Sequence, residues 1–406
     1  MTENKRKHIL VVSQYFYPEQ FRINDMCAEW VRRGYKVTVL TGIPNYPYGK
    51  YFPGYGLFKK RREEYAGMEI IRIPLIARGK GALGMCLNYV SFVVSGFFWK
   101  CFTRLRADMV FNFEVSPMTQ ALVGVWYARR RRIPCWIYVQ DLWPENIEIV
   151  TGIHSKLVLK PIGKMVDYIY RRCDRIFATS PSFVDMIKAR IPAQVDKVSY
   201  WPQYAEEFYR PMARGESALI PADGRFRVIF TGNVGLAQGL DILPETAAIL
   251  KERGVDAGFV IVGDGRGKAA LEEQIGARGV ESMFRLFERQ RAEDIPVLLA
   301  DCDAAFVSFM NNSLFANTIP AKLQSYMACG MPILACVTGE TERIVREADC
   351  GAVSPLGDAA ALANAVQGLM RDGRIEEYGR NARAYFEAHF EKNMLLDYFD
   401  DCVEKL

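Results

Sequence analysis

Along the first half of the chain, short apolar runs alternate with stretches whose apolar residues recur at helical spacing. The run Ile9 to Val12 leads into a helical pattern from about Ile23 to Arg33, which Gly34 closes, and then into Lys36 to Thr41. Two strand-like runs joined by an amphipathic helix make a βαβ unit, and such units imply a parallel sheet. Further strands are predicted at Glu69 to Ile73, Met109 to Phe113, Cys135 to Val139, Arg175 to Ala178 and Lys197 to Tyr200. From Trp201 the periodicity breaks at Pro202 and Pro211 and continues as polar residues to Gly224, the composition of a linker. A second alternating series begins at Phe226, with strands at Ala257 to Val262, Met283 to Phe287, Ala304 to Ser308, Ile333 to Ala335 and Gly351 to Val353. It closes in a helical stretch rich in Tyr and Phe from about Arg374 to Leu406. With 406 residues the chain can bury two cores. The expected organisation is a first Rossmann-like domain over residues 1–205, a linker over 206–223, a second Rossmann-like domain over 224–385 and a C-terminal helix over 386–406.

The segment Leu83 to Phe102 stands apart. Met85/Cys86, Tyr89/Val90, Val93/Val94, Phe97/Phe98 and Cys101/Phe102 recur every four residues and give an apolar stripe on a helix. Asn88, Ser91, Ser95 and Gly96 interrupt it, and the apolar stretch is shorter than the roughly 20 residues of a comfortable membrane span. A core helix and an interfacial helix flanked by Arg78, Lys80, Lys100, Arg104 and Arg106 both fit, ahead of a true span.

Composition narrows the class. With 50% hydrophobic and 24% charged residues the chain is that of a soluble globular protein. Its ten cysteines include no C-x-x-C pair and have no histidines at zinc spacing, so they read as reduced thiols in a cytoplasmic protein. The polar start Met1 to Lys7 predicts no secretory signal. The net charge of +5 is uneven, with Lys59-Lys-Arg-Arg62 and Arg129-Arg-Arg-Arg132 both in the first half. Each cluster is either a solvated face or a contact for an anionic surface or phosphorylated acceptor. Nucleic acid is disfavoured, because stacking aromatics and a recognition helix are missing around them.

Two glycine-bearing turns carry the chemistry. Thr231-Gly-Asn-Val-Gly-Leu-Ala-Gln-Gly239 follows the strand at Phe226, and Ile319-Pro-Ala-Lys-Leu-Gln-Ser-Tyr-Met-Ala-Cys-Gly330 leads into Met331-Pro and an apolar strand. Glycine lets the backbone approach an anion, and a following helix offers unpaired N–H groups and a positive dipole end to a phosphate. One such turn alone is an ordinary strand-to-helix connection; two in one half point to a nucleotide-sugar diphosphate.

The order of these motifs resembles the retaining glycosyltransferases of the family-4 type, over nearly the whole chain. Ser13-Gln-Tyr-Phe-Tyr-Pro-Glu19, Thr41-Gly-Ile-Pro-Asn-Tyr-Pro-Tyr-Gly49, Gln140-Asp-Leu-Trp-Pro-Glu145 and Gly232-Asn-Val-Gly-Leu-Ala-Gln-Gly-Leu240 are similar to the N-acetyl-fucosamine transferase subgroup of bacterial surface polysaccharide assembly. The resemblance implies an α/β protein of the GT-B arrangement: two Rossmann-like domains with parallel sheets facing across a cleft, and a C-terminal helix returning to the first domain. It implies sugar transfer from a nucleotide donor, with UDP favoured, with retention at the anomeric carbon and without a metal or other cofactor. The acceptor it implies is a polyprenyl-diphosphate-linked saccharide, met by a peripheral protein on the inner face of the cytoplasmic membrane.

Site residues follow by position. Arg289 in Phe287-Glu-Arg-Gln stands at the family's place for a donor contact, with a surface ion pair as its alternative. Lys322 opens a helix, where a lysine gains nothing from the dipole, and so reads as serving a bound anion. Lys268, after Gly263-Asp264-Gly265, is a third cation. Gly232, Asn233, Gly235, Gln238, Gly239, Gly263, Asp264 and Pro320 complete the donor set. The family commonly carries two glutamates separated by seven residues; here those positions are Asn317 and Ser325, which can hydrogen-bond sugar and ribose hydroxyls but supply no negative charge. A histidine frequent in the first domain is also absent from its motif, its place taken by Gln140-Asp141. Asp141 or Glu145 would orient the acceptor or share its proton, with a turn cap as the alternative for Asp141. Glu19, Arg22, Asn45 and Gln140 complete the acceptor side.

Other readings remain: a transferase with a soluble acceptor, a nucleotide-sugar epimerase, and a non-catalytic binding protein. An epimerase needs carboxylates converging on the donor, against which Asn317 and Ser325 argue.

Overall fold

The computed structural model describes residues 7–406 apart from Lys80, Gly152, Ile153, Glu216, Ala218 and Ala222. Lys80, expected to flank the apolar helix, and most of the polar start therefore lie outside the described residues. The chain divides into two compact units, Met1–Trp201 and Pro202–Leu406.

The first unit carries β1 (His8–Val12), β2 (Lys36–Thr41), β3 (Arg62–Tyr65), β4 (Met68–Arg72), β5 (Met109–Glu114), β6 (Cys135–Val139), β7 (Arg175–Ala178) and β8 (Val198–Tyr200). They form one sheet in the order β3-β4-β2-β1-β5-β6-β7-β8. All pairings are parallel except that of β3 with β4. The sheet is thus not wholly parallel as expected: a charged Arg-Glu-Glu-Tyr strand folds back on β4 as an antiparallel edge. An edge strand needs only one paired side and tolerates charge, so its sequence carries no apolar signal.

The second unit carries β9 (Phe226–Thr231), β10 (Ala257–Val262), β11 (Phe284–Phe287), β12 (Ala304–Ser308), β13 (Ile333–Cys336) and β14 (Gly351–Ser354). Their order is β11-β10-β9-β12-β13-β14, all parallel. Both sheets reverse their winding beside the first strand of the unit, at β1/β5 and at β9/β12, which are the topological switch points where doubly wound folds bind ligands. Because helices cover both faces, the strands read as continuous apolar runs whose successive residues enter opposite cores. Ile229, Ala305, Val307 and Ile333 join one core with Leu323 and Met327, whereas Val228, Phe230, Phe306 and Leu334 join the other with Leu243 and Leu362. The chain closes with helices Ile375–His389 and Lys392–Glu404.

The apolar segment is a helix, Ala82–Phe102, but not a core helix. Its buried residues are Asn88, Phe92 and Gly96, while Leu83 is 74% and Phe102 80% exposed. The interruptions of the apolar pattern are what face the protein. A Cβ on Gly96 would lie 2.3 Å from a Val123 methyl, so this glycine marks the close crossing with helix Ala121–Arg131. Asn88 donates to the Ile76 carbonyl at 2.6 Å, and Ser91 accepts from the Ile76 N–H at 2.9 Å. The second basic cluster is partly spent here: Arg130 donates to the carbonyls of Lys100 and Cys101 at 2.9 and 2.7 Å, and Arg131 to that of Thr103 at 2.8 Å. These satisfy the orphan carbonyls of the helix end, where cations also meet the negative dipole.

All ten cysteines are free thiols; Cys86 is exposed, Cys101 half-buried and the rest buried.

Candidate functional site

In the second unit two strand ends and one helix start converge on one loop cluster. β9 runs into the turn Gly232 to Gly239 and then helix Ile242–Glu252; beside it, β10 runs into Gly263-Asp264-Gly265 and helix Lys268–Ala277. The turns are stitched together by backbone: Gly232 N–H donates to Val262 O at 2.9 Å, Val234 N–H to Asp264 O at 2.8 Å and Gly267 N–H to Val234 O at 2.9 Å. The approach requires glycine at three places, one of them Gly265, whose Cβ would lie 2.3 Å from Val234 O. A Cβ on Gly263 would lie 1.8 Å from Gly232 O, and one on Gly239, whose φ is +60°, 2.7 Å from Phe309 O.

Helix Ala321–Ala328 supplies the third wall, starting from Pro320. Tyr326 fixes it to β9: its hydroxyl accepts the Thr231 N–H at 2.8 Å and lies 3.1 Å from the Thr231 hydroxyl. One turn earlier, Lys322 sends its ammonium inward, 3.8 Å from the Phe230 ring centre and 3.8 Å from the position of a Cβ on Gly232. Nζ donates to Gln238 Oε1. Burial alone pulls the Lys322 pKa down to about 7. A cation that must shed its solvent without a compensating carboxylate is poised to take a proton when an anion arrives.

The other cations sit differently. Lys268 is held by Asp264 at 3.3 Å and Glu288 at 2.7 Å, an ion-pair cluster at the same strand ends. Arg289 is exposed, and its N–H donates to Asp264 Oδ2 at 3.3 Å. Asn233 is exposed on the first turn, close to Gly235 and Gly265. Asn317 ends the short helix Ser313–Ala316, its N–H donating to Leu314 O at 3.0 Å. Ser325 is buried, and its hydroxyl donates to Ala321 O at 3.2 Å, which leaves its oxygen able to accept.

In the first unit the loops at the carboxyl ends of β1, β2, β5 and β6 hold the acceptor-side residues. Glu19 is interior: its carboxylate accepts the N–H groups of Asn45 at 2.8 Å, Tyr46 at 2.7 Å and Phe16 at 3.2 Å. Burial nevertheless pushes its pKa up to about 7. Asn45 is fully buried, donating to Ile43 O and accepting from Arg78 N–H at 3.0 Å. Glu19 and Asn45 thus bind each other's loops and shape the surface from within. Arg22 begins helix Arg22–Arg32 and Gln140 caps β6, its N–H donating to Glu114 O at 2.8 Å. Asp141 does not cap the next turn; its carboxylate accepts the Ser116 N–H at 2.8 Å across the strand ends. Burial raises the Asp141 pKa, and burial with the neighbouring Asp141 charge holds Glu114 well above the usual carboxylate range. Glu145 starts helix Glu145–Thr151 and lies 3.6 Å from Arg190.

Sequence reasoning passed over Glu114, whose Oε1 is buried without a partner, and the chain Gln14 to Asn88, joined at 2.7 Å. A glutamate ending the apolar strand Met-Val-Phe-Asn-Phe-Glu was the available signal. Tyr326, in the middle of an otherwise apolar helix face, was another.

Family models match both units: the glycosyl transferase 4-like domain over residues 20–202 and the glycosyl transferases group 1 domain over 217–385. The chain is a glycosyltransferase of the family-4 type. This glycosyltransferase is 25% identical over 413 residues to WcaI of Escherichia coli K12, whose name assigns it to colanic acid biosynthesis; the match covers 97% of the chain and 99% of WcaI. In fold it resembles the sucrose-phosphate synthase of Thermosynechococcus elongatus, with TM-score 0.76 at 16% identity over 98% of the chain and 99% of that protein. It also resembles the Anabaena protein Alr3699/HepE in complex with UDP-glucose, with TM-score 0.68 at 16% identity over 99% and 100%.

Proposed function

We propose that this glycosyltransferase moves an N-acetylated amino sugar from a UDP donor to a polyprenyl-diphosphate-linked saccharide in surface polysaccharide assembly, in the manner of the N-acetyl-fucosamine transferases. The observation that carries the donor half is the Lys322 ammonium beside Gly232, the glycine of the turn cluster next to which no atom but Lys322 Nζ comes within 4 Å of a Cβ position. The similarity to WcaI supports the polysaccharide setting, and the UDP-glucose held by HepE supports the donor class.

In the proposed reaction the bond between the anomeric carbon and the diphosphate oxygen breaks, and UDP leaves with the electron pair. The acceptor oxygen bonds the anomeric carbon on the same face, which is retention. Its proton passes to the departing diphosphate oxygen, which attack on the same face places beside it. Negative charge grows on the diphosphate as the bond breaks, so a preorganised cation and backbone N–H groups lower the barrier more than they stabilise the ground state. Lys322 and Arg289 take that role, without a metal. Asp141 orients the acceptor hydroxyl, and Asn317 and Ser325 accept sugar and ribose hydroxyls.

The first unit works, in this reading, on the inner face of the cytoplasmic membrane. Helix Ala82–Phe102 is long and apolar enough to cross a membrane by composition, yet its Leu83, Val90, Val94 and Phe98 side chains stand on the surface of the folded unit. An outward apolar face with Lys100 in the last turn of its helix and, beside it, Arg61 and Arg62 of the cluster Lys59 to Arg62 gives the two signals that reversible anchoring requires.

The test is incubation with a panel of UDP-sugars and polyprenyl-diphosphate sugars, with products read by mass. Transfer of an N-acetylated amino sugar to the lipid-linked acceptor is expected. Transfer to soluble acceptors alone, epimerised donor without transfer, or UDP binding without turnover would overturn the reading in favour of the corresponding alternative.

A further inference from the structure

Between the C-terminal half of helix Ala82–Phe102 and the β3–β4 edge runs a groove of about 780 Å³. One wall is apolar: Phe98, Trp99 and Phe102 follow Ser95 at helical spacing and so line a single stripe. The other wall and the far end carry Arg61, Arg62 and Arg104, against the single carboxylate of Glu69. That carboxylate is already paired, its Oε1 lying 3.1 Å from Arg62. Arg61 is held rigid by donating to the carbonyls of Arg72 and Leu57, at 2.6 and 3.1 Å. Arg104 is exposed beyond the helix end.

We propose that this groove is a discrete seat for one anionic phospholipid, with its headgroup phosphate on Arg104 and Arg61 and an acyl chain along Phe98, Trp99 and Phe102. Charge complementarity selects the headgroup. A guanidinium gives charge-assisted hydrogen bonds to phosphate oxygens. The Arg62–Glu69 pair cancels, and Arg61, which donates to carbonyls through Nε and Nη1, keeps Nη2 for a phosphate, so Arg61 and Arg104 leave two net positive charges on the groove. The chain is argued from continuity: Phe98, 57% exposed, and Phe102 belong both to the groove and to the outward apolar face of the helix, so a lipid leaving the bilayer need not cross water to enter. The proposal rests on the membrane reading given above but adds a stoichiometric site to a diffuse attraction. A site of this kind would place the helix at a fixed depth and orientation, which diffuse charge attraction does not.

The test uses the full chain and lipid below its micelle concentration, so that no bilayer is needed. Dihexanoyl phosphatidylglycerol, dihexanoyl phosphatidylcholine and inorganic phosphate are titrated separately, with tryptophan emission read for the wild type and Trp99→Phe. Phosphatidylglycerol is expected to give a saturable change that disappears in Trp99→Phe. Phosphatidylcholine should bind about tenfold more weakly, as should phosphatidylglycerol to Arg104→Ala, whose exposed side chain makes folding insensitive to the change. Inorganic phosphate should leave Trp99 unmoved. Equal response to both lipids, an unaltered Arg104→Ala, a response kept in Trp99→Phe, or the same response to phosphate would overturn the seat. Vesicle sedimentation run alongside separates the two ideas: binding to anionic vesicles without the monomeric-lipid response removes the seat and leaves the membrane reading standing.

Discussion

The Lys322 ammonium donates to the Gln238 amide oxygen, joining the start of helix Ala321–Ala328 to the glycine turn that follows β9. Through that contact a half-buried cation is set beside Gly232 of the turn. Lys322→Ala and Arg289→Ala are each expected to cut turnover by about two orders of magnitude or more, as when a developing charge loses one preorganised cation. Steady-state rates on variants with unchanged melting check this; near-normal turnover in both would move the donor site elsewhere.

Gly263→Ala should do more than alter affinity. Its Cβ would meet Gly232 O at 1.8 Å, a backbone atom that can yield only by separating β9 from β10 at their carboxyl ends. A stability loss of at least about 1–3 kcal/mol is expected, together with weaker UDP binding. Gly254→Ala, where no neighbour lies within 4 Å, is the control for the loss of a positive-φ glycine alone. Equal behaviour of the two in denaturant melts would show that the Gly232–Gly263 contact is not tight.

Much of this arrangement was legible in the sequence, for identifiable reasons. Strands buried on both faces are short continuous apolar runs, so β2, β6, β7, β10 and β12 could be bounded to the residue. The edge strand β3 carries three charges in four residues and escaped notice. Helix Ala82–Phe102 was visible as a helix, but periodicity alone cannot say which stripe faces inward; here the answer lay in small and polar Gly96 and Asn88 rather than in the apolar majority. The glycine turns were visible in the sequence as a candidate phosphate site, whereas the Lys322–Gln238 bond links residues 84 apart in sequence and follows only from the sheet order. Glu19 looked like a ligand-facing acid and instead accepts three backbone N–H groups, one in its own loop and two in the loop after β2.

The free protein should carry a pH signature of Lys322. Its folded pKa of about 7 lies below the roughly 10.4 of an exposed lysine, so between those values the unfolded chain binds the extra proton. Stability of the wild type relative to Lys322→Met should therefore rise as pH increases from about 7 to about 10, and be pH-independent below that window. Paired denaturant melts across this range check the sign; a flat difference would mean that the ammonium is solvated.

The outward apolar face predicts graded membrane binding. Co-sedimentation with anionic liposomes should weaken with salt, because screening acts within about 8–10 Å, but should not vanish, because apolar insertion persists. Leu83→Ser, Leu87→Ser and Val94→Ser combined, all at exposed positions, should remove most of the salt-resistant fraction without unfolding the protein. Equal binding to neutral and anionic liposomes, or none to either, would favour a soluble acceptor.

Calorimetric titration of UDP in buffers of different ionisation enthalpy bears most directly on the donor site. At pH 8 the free Lys322, with its pKa near 7, is largely neutral, and a bound diphosphate should restore its charge. UDP binding is expected to take up close to one proton at pH 8 and almost none at pH 6, to weaken as pH rises, and to lose the proton uptake in Lys322→Met. Absence of UDP binding, or an uptake identical in Lys322→Met, would contradict the assignment of this lysine and its glycine turns to the donor diphosphate.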